Sequence, residues 1–393
     1  NLEGDISGRV SKLLFTGMNV RYGENTSLTG SFMIEGLPKI KETRFDAKIN
    51  EICTNVNDIK TIANTFSKKE IKLPKMMDNI GRICYTGKAK GDPNNLIVSG
   101  SLRSDIGTIT NNITIKSSDA NHSGFIIKGS VESNSIKLAK LLGEKSGFGD
   151  ACFKMEVDIN KQLSGDLHLD ADGIICSLTY KEYTYNDIIL KGDFKNKAFN
   201  GNITMNDENV KFGFNGFIDF NKEKPTFRFQ ANVDDAQLYA LHLVKTPNTS
   251  LSFDVETNFE GFKIDDLEGS FSIDNIVFKK NEKEILINNV SLTAEKSENH
   301  IKTINLYSDY INGTLKGQYL FTTLYFNLKQ LASQYLPTLI KREDELEKTE
   351  KRNNFTFNFE IDNTEPLNDI FKLPFVFTEQ SQMSGFYNDN TNK

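Results

Sequence analysis

Tryptophan is absent from this chain of 393 residues, and histidine and cysteine are scarce, at four residues each. His122, His168, His242 and His300 stand apart in sequence, and none shares metal-ligand spacing with a cysteine or a carboxylate. They read as surface or satisfied imidazoles, and no metal or other cofactor is expected. Cys53, Cys84, Cys152 and Cys176 contain no Cys-x-x-Cys and read as four small buried hydrophobes; a Cys53–Cys84 disulfide stays open in an oxidising compartment. No stretch approaches about 18 consecutive apolar residues, so no helical membrane span is expected within the chain. Neither sign of charge dominates. With 47 basic and 53 acidic side chains and a net charge of −6, there is no electrostatic footprint for nucleic acid. Only eight prolines interrupt the chain, which leaves room for long strands.

What the chain has is aromatic residues: 29 Phe and 12 Tyr, too many for a solvated, disordered polymer. They fall in strict alternation. Phe153, Met155, Val157 and Ile159 alternate with Lys154, Glu156, Asp158 and Asn160, which places the four apolar side chains on one face of a strand. Val210, Phe212, Phe214, Ile218 and Phe220 repeat the pattern, as do Phe227, Phe229, Ala231 and Val233, then Leu251, Phe253, Val255 and Phe259, and finally Phe355, Phe357, Phe359 and Ile361. Period two with one charged face means antiparallel strands wetted on one side, because parallel strands covered by helices read as continuous apolar runs.

Glycine recurs inside these segments on the apolar parity, flanked two residues away by apolar side chains. Gly30, Gly100, Gly129, Gly165, Gly192, Gly201, Gly269 and Gly317 all sit this way. A strand glycine costs roughly 0.5–1 kcal/mol relative to alanine, so the set implies a shared purpose: a bend, or a notch where something approaches the backbone. Helical spacing is rare. It appears at Val56–Phe66 after Asn55, at Ile136–Leu142 before Gly143, and at Leu328–Leu339. The Leu328–Leu339 stripe is expected either to lie against or locally plug the apolar face, or to be a surface connector. At about 150 residues per domain the length allows two or three domains or one extended one. No composition shift marks a hard boundary, so 1–393 reads as a single elongated segment with linker-like places at 67–79 and 341–352. Asn1 in place of Met suggests a piece cut from a longer protein.

Chemistry is hard to find. Gly81–Lys88 has five residues between its glycines where a phosphate loop has four, and Ala89 follows the lysine. His168, Asp170, Asp172 and Gly173 resemble half of a calcium loop, but Thr179 stands where a bidentate Glu is needed. Asp234 and Asp235 read as the N-cap of a helix over Leu238–Leu241. Nothing supports an enzyme, and no catalytic residue is assigned.

Four segments, Tyr22–Leu37, Leu73–Gly87, Tyr185–Phe220 and Phe227–Leu241, carry a resemblance in spacing and glycine placement. From about Leu13 to Phe371 the chain resembles the TamB-like branch of the AsmA superfamily, in its Bacteroidota version; Glu208 departs from the family pattern, which has proline there. The resemblance implies a long antiparallel sheet curled into a half-pipe, a β-taco, with an apolar concave groove. It also implies a periplasmic protein anchored in the inner membrane by an N-terminal helix absent from this sequence. Its expected work is phospholipid transport between the membranes, outer-membrane protein assembly with an insertase-type β-barrel, or both. Its expected ligands are phospholipid acyl chains. The alternating residues above would line the groove and the eight glycines would lie in it. The alternative is an extracellular β-sandwich or β-helix acting as an adhesin or glycan-binding module, its apolar face a closed core.

Overall fold

The computed structural model describes residues 1–39, 42–66, 75–118, 124–162, 165, 167–221, 223–261, 264–297, 301–323, 329, 353–373 and 375–388. The alternating segments are strands. By packing, the chain divides into one unit of Asn1–Asn196 with Gly201–Glu208 and a second of Lys197–Asn200 with Asn209–Lys393.

The first unit holds β1 (Leu2–Arg9), β2 (Lys12–Tyr22), β3 (Thr26–Glu35), β4 (Arg44–Asn55), β5 (Arg82–Asp92), β6 (Asn95–Ser104), β7 (Gly107–Ser117), β8 (Gly124–Lys137), β9 (Phe148–Gln162), β10 (Leu167–Tyr180) and β11 (Tyr183–Lys195). Each pairs antiparallel with the next. The division into units runs through β12 (Ala198–Asp207). The second unit continues with β13 (Val210–Asp219), β14 (Thr226–Gln237), β15 (Thr249–Glu260), β16 (Glu268–Lys280), β17 (Lys283–Lys296), β18 (Lys302–Ser308), β19 (Ile311–Gln318), β20 (Asn354–Ile361) and β21 (Ser381–Asn388), again each antiparallel to its successor. The expected class holds: an all-β, 21-stranded antiparallel sheet with few short helices, open because β1 and β21 each keep one neighbour. A β-helix would need parallel pairs and a sandwich a second sheet. Neither describes these strands.

Directly opposed residues of an antiparallel pair share a face, so the register shows where each apolar side chain goes. Across the first unit, Ile6, Phe15, Phe32, Ala47, Ala89, Val98, Ile113, Gly129, Val157, Ala171 and Gly192 are opposed in turn. Across the second, the row is Ile218, Phe227, Phe259, Gly269, Ala294, Ile304, Leu315, Phe357 and Gly385. In each unit a single face is apolar from strand to strand. Where the sequence alternation skips a beat, a bulge takes up the extra residue. Phe15 and Met18 stay on one face across Gly17 (φ 59°), Val233 and Ala236 across Asp235 (φ 49°), and Ile273 and Ile276 across Asn275 (φ 54°).

The glycines line up with one another. Gly30 opposes Ile49, Ile49 opposes Gly87, and Gly87 opposes Gly100. A Cβ on Gly100 would stand 2.3 Å from the Thr86 carbonyl oxygen, 2.6 Å from Tyr85 Oη and 2.8 Å from Gly87 Cα. The pair therefore makes room for the Tyr85 hydroxyl as well as for the close backbone. In the second unit the glycines face aromatic rings instead: Gly269 opposes Phe259 and Gly317 opposes Phe355. Gly165 departs from expectation. It lies in the turn between β9 and β10, where its N–H donates to the Gln162 carbonyl, and nothing crowds its Cβ position.

Among the helices, α1 (Val56–Phe66) starts where Asn55 Oδ1 accepts the Asp58 N–H at 2.8 Å, and α2 (Leu138–Leu142) stops at Gly143 (φ 99°). A third, α3 (Glu365–Phe371), opens with Pro366 in its first turn and was not signalled by periodicity. Leu238–Leu241 is a turn rather than a helix, because β14 runs on through the bulge to Gln237 and carries Asp234 and Asp235 with it. Leu328–Leu339, apart from Lys329, and the run at 341–352 lie outside the described residues. Neither linker-like place coincides with the division in β12; a meander packs strand by strand, and such a division leaves no trace in composition.

The glycine pair sets a clear expectation. Gly100→Ala should lose about 1–3 kcal/mol in denaturant unfolding, whereas Gly213→Ala, whose new Cβ would meet first the flexible end of the Asn232 side chain, should stay within about 0.5 kcal/mol of wild type. Equal stability of the two variants would show that β5 and β6 can move apart freely.

Candidate functional site

The residues expected to line a groove fall on the shared apolar faces. Phe153, Met155, Val157 and Ile159 oppose Ile175, Gly173, Ala171 and Leu169 in the first unit. In the second, Phe212 opposes Val233, which opposes Phe253, and Phe214 opposes Ala231, which opposes Val255. Beyond the bulge Leu251 opposes Ala236 and Phe278, while Phe355, Phe357, Phe359 and Ile361 oppose Gly317, Leu315, Gly313 and Ile311. Val210, Phe214 and Phe355 are buried and most of the others half-buried, but Phe220 is 47% exposed because β13 ends before it. Rings stack along the face, with centroids 5.8 Å apart for Phe199–Phe214, 5.0 Å for Phe214–Phe229 and 4.8 Å for Phe227–Phe259.

Small residues in this face open a cavity. Gly269 and Ala294 are directly opposed between Phe259 on one side and Leu292 and Phe271 on the row beside them. Together with Leu267, Glu268 and Ser270 they bound about 190 Å³, and the surface they offer to it is apolar. Sequence alternation identified Phe259 and Gly269 but not the hollow, which depends on a glycine in β16 meeting an alanine in β17.

Beside the cavity the strand ends carry charge. Lys224 Nζ donates to Glu268 Oε2 at 2.6 Å, and that bond holds the lysine above its ordinary value. Lys302 Nζ donates to the Asp265 carbonyl and lies 5.9 Å from the Tyr319 ring centroid; burial pushes its pKa down. The Asp265 carboxylate accepts the Phe321 N–H at 2.5 Å and the Thr322 hydroxyl at 2.8 Å. Asn353, fully buried, accepts the Leu320 N–H at 2.9 Å. These bonds pin Leu320–Thr322 in place, next to the cluster of Leu315, Tyr319, Phe355 and Tyr387, where burial raises the Tyr319 pKa. At the far end of the same strands α3 stacks Phe371 on Phe278 with centroids 5.2 Å apart. In the first unit Leu138 and Leu141 of α2 pack against the buried cluster of Ile106, Ile136 and Ala151. Among the described residues, helices and turns cover each apolar face only at strand ends.

The opposite face brings together groups that sequence spacing kept apart. His168 Nε2 lies 2.5 Å from Asp193 Oδ2 and 3.5 Å from Asp170 Oδ1, because β10 and β11 set Asp170 against Asp193. Sequence spacing did not join His168 to Asp193, and these three could present one imidazole nitrogen and two carboxylate oxygens to a divalent cation. His168–Gly173 is extended strand, which cannot wrap an ion as a calcium loop does. The cysteines are also reassigned. Cys53 and Cys84, directly opposed on β4 and β5, form a buried disulfide, whereas Cys152 is half-buried and Cys176 exposed. Gly81–Lys88 runs into β5, so its backbone is committed to the ladder and cannot cradle a phosphate.

The Lys224–Glu268 bond predicts a pH dependence. A lysine whose folded-state pKa is raised contributes stability that is complete below its ordinary value of 10.5 and lost as pH climbs through the raised one. Both side chains are more than a third exposed, so the contribution is screened to less than about 1 kcal/mol. Unfolding measured from about pH 9 to 12 should show Lys224→Met losing stability less steeply than wild type; parallel curves would assign the bond no role.

Compared with protein-family models, curated protein sequences and solved structures, the chain matches none.

Proposed function

We propose that this chain is a segment of a hydrophobic conduit, its apolar face receiving phospholipid acyl chains on their way between two membranes. The observation that supports this reading is the unbroken apolar row in each unit, hollowed at Gly269 and Ala294 and, among the described residues, bare of helices along its middle. Each acyl methylene withdrawn from water contributes about 0.8 kcal/mol, so a face that offers only carbon attracts a chain without directional contacts. A closed core would be covered by a second layer, and the described residues supply none there. The resemblance to the TamB-like proteins adds the setting, a periplasmic span between inner and outer membrane, and a partner, an insertase-type β-barrel reached through the parent protein. No catalytic residue is needed, because passage depends on the sum of many weak contacts.

The test is native mass spectrometry of the chain purified gently from a phospholipid-rich extract. Wild type should carry phospholipid adducts. Ala294→Leu, which fills part of the hollow, should lower the bound fraction several-fold with unchanged circular dichroism. Phe229→Asp should do the same, since an unpaired carboxylate among apolar side chains carries a desolvation cost of several kcal/mol. Lys211→Asp, on the opposite face, should bind as wild type does. Absence of adducts on wild type, or equal adducts on all variants, would overturn the conduit reading.

A further inference from the structure

The sheet sets a second pair of cysteines against each other, on the face away from the apolar row. In β9, Cys152 lies between Ala151 and Phe153, which oppose Leu178 and Ile175 of β10 on the apolar face. Two residues, Cys176 and Ser177, separate Ile175 from Leu178, so β10 bulges there and sets both against Cys152 alone. Cys176 is near enough to the Cys152 thiol to raise its pKa. The register partner of Cys152 is Ser177, with Cys176 as the extra residue of the bulge next to it; opposed Cα atoms stand roughly 4.5–5.5 Å apart, and a disulfide tolerates about 4.4–6.8 Å, which leaves room for the neighbouring bulge position. The same sheet already joins Cys53 to Cys84 in this cross-strand manner.

We propose that Cys152 and Cys176 are a second disulfide site, a dithiol that oxidises across the β9–β10 bulge. Both are thiols in this structure, and Cys176 is exposed to an incoming oxidant while Cys152 is half-buried beside it. The oxidant is a disulfide donor of the thiol–disulfide exchange class. Cys176, as thiolate, attacks one donor sulfur; the donor S–S bond breaks and its other sulfur leaves as a thiolate that takes up a proton. Cys152, as thiolate, then attacks the Cys176 sulfur of the mixed disulfide and expels the second donor thiolate. The protein loses two electrons and two protons, and the donor gains both. The order follows from exposure: Cys176 is open to the donor, while Cys152, its pKa raised by the neighbouring Cys176 thiol, is half-buried beside it.

The experiment uses the full chain, first reduced mildly and then exposed to oxidised glutathione. Remaining thiols are blocked with iodoacetamide without further reductant, and the digest is read by mass spectrometry. The expected result is a cross-linked peptide pair containing Cys152 and Cys176, two mass units below the sum of the free peptides, with Cys53 still joined to Cys84. Cys152→Ser should instead leave Cys176 as a lasting glutathione adduct, because the resolving thiol is gone. Carbamidomethyl groups on both cysteines of the wild type, separate glutathione adducts on both, or cross-links that pair either with Cys53 or Cys84 would overturn the proposal.

Discussion

Everything in these two units depends on the apolar side chains of successive strands staying in phase across the ladder. A slip of one residue would turn a whole strand's phenylalanines to water, and a meander of long strands offers many chances for one. The bulges are what prevent this. Each left-handed residue at Gly17, Asp235 or Asn275 absorbs a position where the alternation skips, so Phe15 and Met18, or Ile273 and Ile276, remain neighbours on one face. The same device on β10 places Cys176 and Ser177 together on the other face.

Glycine serves the apolar face differently in the two units. In the first, Gly87 and Gly100 face each other and admit the Tyr85 hydroxyl against the backbone. In the second, glycines sit under aromatic rings, as Gly313 does under Phe359, or, with Ala294, leave a hollow that no ring among the described residues fills. Filling a notch with a ring yields cohesion, while leaving it empty yields a place for another apolar group. The energetic cost of strand glycine, roughly 0.5–1 kcal/mol each, is offset in the first case by the packing it permits.

Coverage of the apolar faces is economical. Leu138 and Leu141 of α2, Phe371 of α3 and the Tyr319–Phe321 segment each cover strand ends, and polar bonds to Asp265 and Asn353 hold the last of these in position. The middle of each face keeps its ring edges half-exposed.

The amino-acid sequence by itself determined the fold class, the identity of the apolar face and most of its glycines, because a strand's alternation is a local property with period two. It also determined where α1 begins and where α2 ends, through Asn55 and Gly143, but not where α2 begins, since Ile136 belongs to β8. It misplaced Gly165 and expected a helix after Asp235, since a turn and a bulge use the same residue types as a strand notch and a cap. Only the tertiary structure decided which strand lies beside which position, and every feature with chemistry in it follows from that choice. His168 meets Asp193, Cys152 meets Cys176, and Gly269 meets Ala294 across inter-strand pairings, and a register between distant segments is set by the packing of the whole ladder rather than by any residue along it.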